Sequence, residues 1–344
     1  MKTRELRCRV LTAILLPAAI CGPAAAQAPR FSERDVSFRN GSVELRGTLM
    51  VPAIEGRHPT VVFLHGSGPA TRAGARPYAE EFARLGVASL FFDKRGSGSS
   101  GGSWTHSSLD DLAGDALAAV EYVKMQEEAD PGRIGFWGVS QAAWVATLAA
   151  SQSPDVAFMM LISGGGASPR ESELFSYRQA FAEAGLSESE QSEAFGILDM
   201  YFGYLATGEG RSELVARLEA AREGRLSPLA QQLDQILPSA ENRGNWSWVA
   251  TWDPAPSTAK IKCPVLLMFG DRDTDHPTAV AVQKWKEGLK NAGNDRVTLI
   301  VFPGAGHGIR MRDGHTGSGR PPFADGYAEV MLGWLWRHVV DDRK

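Results

Sequence analysis

The sequence predicts an α/β fold: a mostly parallel sheet flanked by helices on both faces, with an antiparallel hairpin at the N-terminal end and a helical insertion. Three observations carry this. Continuous apolar runs alternate with amphipathic helical segments, as in sheets buried on both faces. An earlier segment instead alternates apolar and polar residues around an Asn-Gly pair. From 167 to 257 the strand pattern stops, and it then resumes.

The elements can be taken in chain order. "DVSFRNGSVELRGTLMVP" reads as two strands joined at Asn40-Gly41, a strong hairpin signal. "TVVFLHG" is an apolar run ending in glycine, as a doubly buried strand would be. "PYAEEFARLG" opens near Pro77 and closes at Gly86, the asymmetry of a helix. "VASLFFD" is a second buried strand. In "SLDDLAGDALAAVEYVKMQ", Leu109, Leu112, Ala116, Ala119, Val120 and Val123 share one helical face. "RIGFWG" is a strand, "QAAWVATLAAS" a helix and "VAFMMLISG" a strand. The segment 167–257 holds only helical stretches and ends in the aromatic "NWSWVATWDP". "PVLLMFG" restores the strand rhythm, followed by the helix "AVAVQKWKEGLKNAG", the strand "VTLIVFPG" and the closing helix "DGYAEVMLGWLWRHVV". The expected organisation is a core over 27–166 and 258–344, interrupted by a helical cap over 167–257. Insertions of that length are usually functional.

Residues 1–26 are expected to be a signal peptide. "MKTRELRCRV" carries Lys2, Arg4, Arg7 and Arg9, an apolar run comes next, and Ala24 and Ala26 form an Ala-x-Ala site before Gln27. The apolar run is too short for the ~20 residues of a membrane span, so cleavage rather than anchoring is expected. Ile20 before Cys21 argues against a lipoprotein. A periplasmic or secreted location is the consequence. Removal of Cys8 and Cys21 leaves only Cys263, so no internal disulfide is available. Cys263 reads as a small buried residue. The 344 residues, 43% hydrophobic and 22% charged, supply a large core. A formal charge of −4 with no basic cluster in the body argues against nucleic acid as a partner.

The chemistry centres on "GVSQAAW", residues 138–144. It nearly matches Gly-x-Ser-x-Gly, with Ala142 in the last glycine's place. Between a strand and a helix, a tight turn would expose Ser140 at the carboxyl edge of the sheet. The bland alternative is that Ser140 is an ordinary helix N-cap. Ala142 falls in the first helical turn, where alanine is favoured over glycine by ~1 kcal/mol.

Three further segments weigh for a nucleophile. "PGAGHG" places His307 on a Gly-flanked loop after a strand. "FGDRDTDHP" offers Asp271, Asp273 and Asp275 after another. "FLHGSGP" ends the first buried strand with glycine-rich backbone able to donate N–H groups. Serine, acid and histidine occur in the chain order of one hydrolase class, all at strand ends where such sheets place their sites.

With "HGSGP", "FFDKRGSGSSGG", "SLDDLAGDALAAVEYV", "GFWGVSQAA", "CPVLLMFGDRD" and "PGAGHG" in view, the chain resembles the α/β-hydrolase superfamily, in its bacterial esterase and prolyl-oligopeptidase-like (dienelactone-hydrolase-like) group. The resemblance runs from about Arg34 to the C-terminus and is least specific in the helical insertion. It implies an α/β-hydrolase fold and, by the family spacing of Gly, two residues, Asp, then Pro, makes Asp273 the triad acid, with Pro277 opening the next helix. Asp271 then reads as a turn residue and Asp275 as a helix-start residue. The resemblance also assigns one oxyanion donor to Ser67. The other, from elbow geometry, is the backbone N–H of Gln141. Members of the group usually carry Gly-Gly where this chain has Ala142 and Ala143.

Other motifs take plainer readings. "GSGSSG" at 96–101 matches a dinucleotide-binding pattern but neither directly follows a strand nor opens a helix. Asp93 and Arg95 are expected to tie this loop by a salt bridge and hydrogen bonds, and His65 to be structural. His58, His106, His276, His315 and His338 lack ligand spacing, so no metal and no cofactor is expected. Trp246, Trp248 and Trp252 are candidates for an acyl pocket or for core packing. The expected function is an exported carboxylesterase acting on a small-molecule ester through Ser140, His307 and Asp273, without stable membrane insertion after signal cleavage. A peptidase of prolyl-oligopeptidase type and a non-catalytic binding protein on the same fold are the alternatives.

Overall fold

The structure, a computed structural model, describes residues 31–311 and 319–341. The expected signal peptide, with Cys8 and Cys21, and His315 lie outside the described residues. The first hairpin pairs β1 (Phe31–Asn40) with β2 (Val43–Pro52). Asn40 faces Val43, so the two turn residues are Gly41 and Ser42, one place beyond the Asn-Gly pair the sequence suggested. The reason is local. The Asn40 side chain is engaged elsewhere, its Nδ2 donating to Asp115 Oδ1 at 2.9 Å and to the Asp111 carbonyl at 3.2 Å, while Gly41 supplies the positive φ of 57°.

The remaining strands are β3 (His58–Phe63), β4 (Ala88–Phe92), β5 (Ala129–Val139), β6 (Phe158–Ile162), β7 (Val265–Gly270) and β8 (Val297–Phe302); all but the edge strand β8 and the first part of β5 are buried. They form one eight-stranded sheet in the order β1, β2, β4, β3, β5, β6, β7, β8, antiparallel on either side of β2 and parallel elsewhere. After β3 the chain steps to β4, then crosses back and builds outward from β5. The order therefore reverses between β3 and β5, and the loops leaving these two strands diverge. Such a switch point opens a crevice at the carboxyl ends of the strands.

Strand periodicity divides the core in two. Val62 and Leu64 lie in the layer covered by α2 (Leu109–Lys124), α3 (Ala142–Gln152) and α10 (Thr278–Asn291). Val61 and Phe63 lie in the layer covered by α1 (Arg76–Arg84) and α11 (Tyr327–Leu335). Residues at i and i+2 share a face, and each large apolar side chain fully buried contributes ~1.5–3 kcal/mol. The helix starts are specified locally: α2 opens on a capping box of Ser108 and Asp111.

Between β6 and β7 come six helices, α4 (Pro169–Glu183), α5 (Glu188–Thr207), α6 (Arg211–Ala220), α7 (Ser227–Ile236), α8 (Arg243–Thr251) and α9 (Ala255–Thr258). The first four share a separate apolar cluster that includes Phe181, Leu198, Phe202, Leu218 and Leu233. This cap is tied to the core at both ends. Asn242 Nδ2 and Trp246 Nε1 both donate to the Thr105 carbonyl at 2.7 Å. Glu171 on α4 pairs with Lys284 on α10 at 2.6 Å. Among the described residues no helix is long and apolar enough to cross a membrane.

Candidate active site

Ser140 sits between the end of β5 and the start of α3 with φ of 63°. For a non-glycine residue this left-handed conformation costs about 1–3 kcal/mol and persists only where the surroundings enforce it. They do so here: the Ser140 N–H donates to the Ile162 carbonyl at 2.9 Å, and its carbonyl accepts from the Ala143 N–H at 2.9 Å. The absence of a glycine at 142 has a steric explanation. Ala142 is fully buried, and a Cβ placed on Gly138 would collide with the Ala142 methyl. Strand and helix approach so closely that one of the two positions must lack a side chain, and Gly138 meets that need alone. Gly164 makes similar room beside the Ser140 carbonyl.

His307 leaves the end of β8 on a tight turn. Its Nδ1 lies 3.0 Å from Asp273 Oδ2 and 3.2 Å from Oδ1. A carboxylate accepts, so Nδ1 carries the proton, and in the neutral ring Nε2 is the basic nitrogen. The Gly308 N–H donates to Ser163 Oγ at 3.0 Å, which holds this turn against the end of β6. The Asp273 side chain is wholly buried. Burial works against its charge, but the contact with His307 and the N–H groups of Asp275 and His276, both at 2.9 Å from Oδ1, outweigh it. They hold the carboxyl below its ordinary range. Asp271 plays the turn role expected of it, accepting from the Gly304 N–H at 2.7 Å and joining the two loops. Asp275 Oδ2 is 4.0 Å from His307 Nδ1 and its side chain is half exposed.

Ser140 and His307 line the same cavities, and Ser67 lines them too. Gly66 passes beside the Ser140 turn, and a Cβ placed on it would lie 3.5 Å from the Val139 carbonyl oxygen. Gln141 heads α3, where the first backbone N–H groups lack intrahelical acceptors. The structure thus gathers Ser140, His307, Asp273, Gln141 and Ser67 at one edge of the sheet.

Lys94 was not singled out in the sequence. It follows β4 and is 4% exposed. Its Nζ donates to the carbonyls of Gly66 at 2.8 Å and Gly68 at 3.0 Å, and to Gln141 Oε1 at 2.9 Å. All three ammonium hydrogens are thereby used, on both segments that flank Ser140. Burial lowers its pKa to about 8. The only signal in the sequence was a lysine directly after a buried strand. Its neighbours tie the loop through different partners. Asp93 accepts from the Arg72 and Ser99 N–H groups, each at 2.9 Å, while Arg95 makes a bidentate pair with Asp115 at 2.6 Å.

The remaining histidines with clear environments are structural. His65 Nε2 donates to the Phe92 carbonyl at 2.7 Å, and burial lowers its pKa to about 4. His276, lowered to about 4 by burial, donates from Nε2 to the Gly165 carbonyl and accepts the Ser172 hydroxyl at Nδ1, both at 2.9 Å. Asp273, Asp275 and His307 present ligand-type atoms within 4.8 Å of one another. Asp273 already accepts the N–H groups of Asp275 and His276 and the His307 ring N–H, which leaves little of its carboxylate for a cation.

Two cavities meet under the cap. One, of about 220 Å³, holds Ser140 and His307. The other, of about 280 Å³, is lined by Trp104, Trp144, Tyr177, Tyr201, Trp246 and Trp248 among others. Trp246 and Trp248 therefore face a cavity, while Trp252 packs against the core. A larger cavity of about 490 Å³, lined by Gln152, Lys262 and Arg296, lies at the amino ends of β6 to β8, away from these groups.

Comparison with known proteins agrees with this fold. A family model described as X-Pro dipeptidyl-peptidase (S15 family) matches residues 40–307. The chain is 25% identical over 235 residues to an uncharacterised 31.7 kDa protein of the traX–finO intergenic region of Escherichia coli, covering 67% of this chain and 78% of that one. Its fold is similar to that of the Pyrococcus furiosus esterase Pf2001, with a TM-score of 0.59 and 22% identity over 90% of this chain and 91% of that one. It is also similar to a Pyrococcus horikoshii acylaminoacyl peptidase, with a TM-score of 0.57 and 18% identity, covering 91% of this chain and 42% of that one.

Proposed function

The chain belongs to the X-Pro dipeptidyl-peptidase (S15) family of α/β hydrolases, and from that premise we propose that it is an exported serine hydrolase cleaving carboxylic esters. The observation that carries this reading is the His307–Asp273 contact at 3.0 Å beside a serine held at φ of 63° in the same cavity.

Acyl transfer sets the roles. Ser140 Oγ attacks the ester carbonyl while His307 Nε2 takes its proton. Asp273 fixes the imidazole and stabilises its charged form. The oxyanion that forms is met by the N–H groups of Gln141 and Ser67, each such donor worth ~3 kcal/mol. His307 then gives the proton to the departing alkoxide, which leaves as the alcohol. Water, activated by His307, releases the acid and restores Ser140.

The cavity of about 280 Å³ beneath the cap supports a small ester, at the lower end of ligand-sized pockets. The family match and the acylaminoacyl peptidase neighbour favour a second reading, peptide-bond cleavage by the same residues. Export rests on the basic, apolar and small-residue layout of residues 1–26.

A fluorophosphonate probe tests the reading. Labelling of Ser140, absent in Ser140→Ala, is expected; labelling that persists in the variant overturns the nucleophile assignment. Matched p-nitrophenyl esters and p-nitroanilides then separate the two bond types, with the esters expected to be turned over faster. Export predicts a periplasmic or secreted protein whose N-terminal residue is Gln27.

A further inference from the structure

Glu173 lies on α4 and lines both cavities, the one holding Ser140 and His307 and the aromatic one beneath the cap. Its accessible surface forms part of their lining. Among the described residues it makes no hydrogen bond and no ion pair. The neighbouring carboxylates are all matched: Glu171 with Lys284, Asp273 and the more distant Asp275 with His307. The other charged group lining the aromatic cavity, Lys94, has its three hydrogens committed to Gly66, Gly68 and Gln141. The surrounding protein, reinforced by Asp275, raises the Glu173 carboxyl above its ordinary range.

Glu173 is exposed and opens onto the cavity, so its carboxylate is free to meet a ligand there. A cation placed beside it is attracted to that charge. The adjacent walls are Trp144, Tyr177, Tyr201, Trp246 and Trp248, whose ring faces attract cations. An aromatic cavity with one unneutralised carboxyl is chemically suited to an alkylammonium group.

We propose that Glu173 makes this site selective for esters bearing a cationic nitrogen, seated against the aromatic wall beneath the cap. On binding, the Glu173 carboxylate faces the ammonium. The proposal rests on the ester-cleaving reading only for its kinetic test; cation binding can be measured without it.

Two pairs of esters of equal shape supply the kinetic test. Choline acetate is compared with 3,3-dimethylbutyl acetate, which puts the charge on the alcohol side. Ethyl betaine is compared with ethyl 3,3-dimethylbutanoate, which puts it on the acyl side. In at least one pair the cationic ester is expected to have kcat/KM about tenfold higher, as a desolvated cation–π and carboxylate contact would give. Glu173→Gln should bring that ratio near one, and Glu173→Asp should retain part of it. If Glu173→Gln leaves the ratio unchanged in both pairs, the proposal is wrong. If no ester is cleaved, the ester reading fails, and the proposal is decided by binding. Phenyltrimethylammonium is titrated into Ser140→Ala and into Ser140→Ala with Glu173→Gln, read by tryptophan quenching. A Kd weakened about tenfold by the second substitution supports it; equal values, or no binding to either protein, overturn it.

Discussion

Lys94 Nζ lies 2.9 Å from Gln141 Oε1 and donates from the same atom to the carbonyls of Gly66 and Gly68. One buried ammonium therefore clamps the turn after β3 to the head of α3, the two segments whose N–H groups are proposed to meet the oxyanion. Lys94→Met removes the clamp while leaving Ser140, His307 and Asp273 in place. Displacing a catalytic group by about 1 Å can cost ~10²-fold, and a loss of that order in kcat is expected, with KM changed far less. Steady-state kinetics on a p-nitrophenyl ester checks this. Unchanged kcat would make Lys94 a structural lysine only.

The same residue predicts a basic limb in the pH profile. With its pKa lowered to about 8 by burial, Lys94 is charged below that pH and neutral above it. The neutral amine has only two hydrogens for three acceptors, so kcat should fall as pH rises through about 8, and Lys94→Met should lack this limb. The sign for stability is opposite. Because the folded pKa lies below the unfolded value of 10.5, the unfolded chain binds more protons between them. This group's contribution to stability is therefore present above 10.5 and lost as pH falls through about 8. Denaturant titrations of wild type and Lys94→Met across pH 7–11 separate the two effects.

Comparison of the three acids tests the triad. Asp273→Asn keeps an oxygen for the N–H groups of Asp275 and His276, so the fold should survive. It replaces the charge that orients His307, and a loss of ~10³–10⁴ in kcat is expected. Asp271→Asn still accepts from Gly304 and should stay within about threefold of wild type. Asp275→Asn, half exposed and 4.0 Å away, should do the same. Near-normal kcat in Asp273→Asn would reject the assignment.

The sheet and the positions of Ser140, His307 and Asp273 were legible because each follows a largely apolar strand segment. β7 before Asp273 is buried throughout, while the edge strand β8 before His307 is only partly buried and was marked by its apolar run alone; a residue just past the end of a parallel strand lands at the carboxyl edge of the sheet. The choice of Asp273 over Asp271 and Asp275 needed family spacing; the structure adds the reason, giving Asp271 a different partner in Gly304. Lys94 and Glu173 were not legible. Lys94 meets residues 66, 68 and 141, contacts that exist only once β3, β4 and β5 are side by side. Glu173 stands in a helix rich in charge, where one more carboxylate reads as an ordinary surface group; that it borders the site appears only once the cap is folded beside it. The pairing of Arg95 with Asp115 rather than Asp93 is likewise a contact between elements.

That ion pair carries its own prediction. The Arg95 and Asp115 side chains are 5% and 4% exposed and meet at 2.6 Å. Removing one partner of such a pair strands the other charge and typically costs ~3–5 kcal/mol. Arg95→Met should lower stability by that order in urea titrations, with the loss read at constant m-value. A change below about 1 kcal/mol would mean that water reaches Asp115.

The close approach of Gly138 and Ala142 gives a sharper test, because two substitutions should cancel. Gly138→Ala drives its new methyl into that of Ala142. No other atom comes closer than 3.5 Å, from Leu64 Cβ, so the clash is confined to this pair. The expected result is a loss of stability of ~1–3 kcal/mol and a displaced Ser140. Ala142→Gly alone trades a buried methyl and a helix-favouring residue for space, costing ~1–2 kcal/mol with activity retained. In the double variant the methyl has moved across the gap and the collision is gone. Activity should return to near the Ala142→Gly level, with a favourable coupling of ~1–3 kcal/mol in the double-mutant cycle. Additive losses would show that Gly138 is needed for its backbone rather than for the room it leaves Ala142.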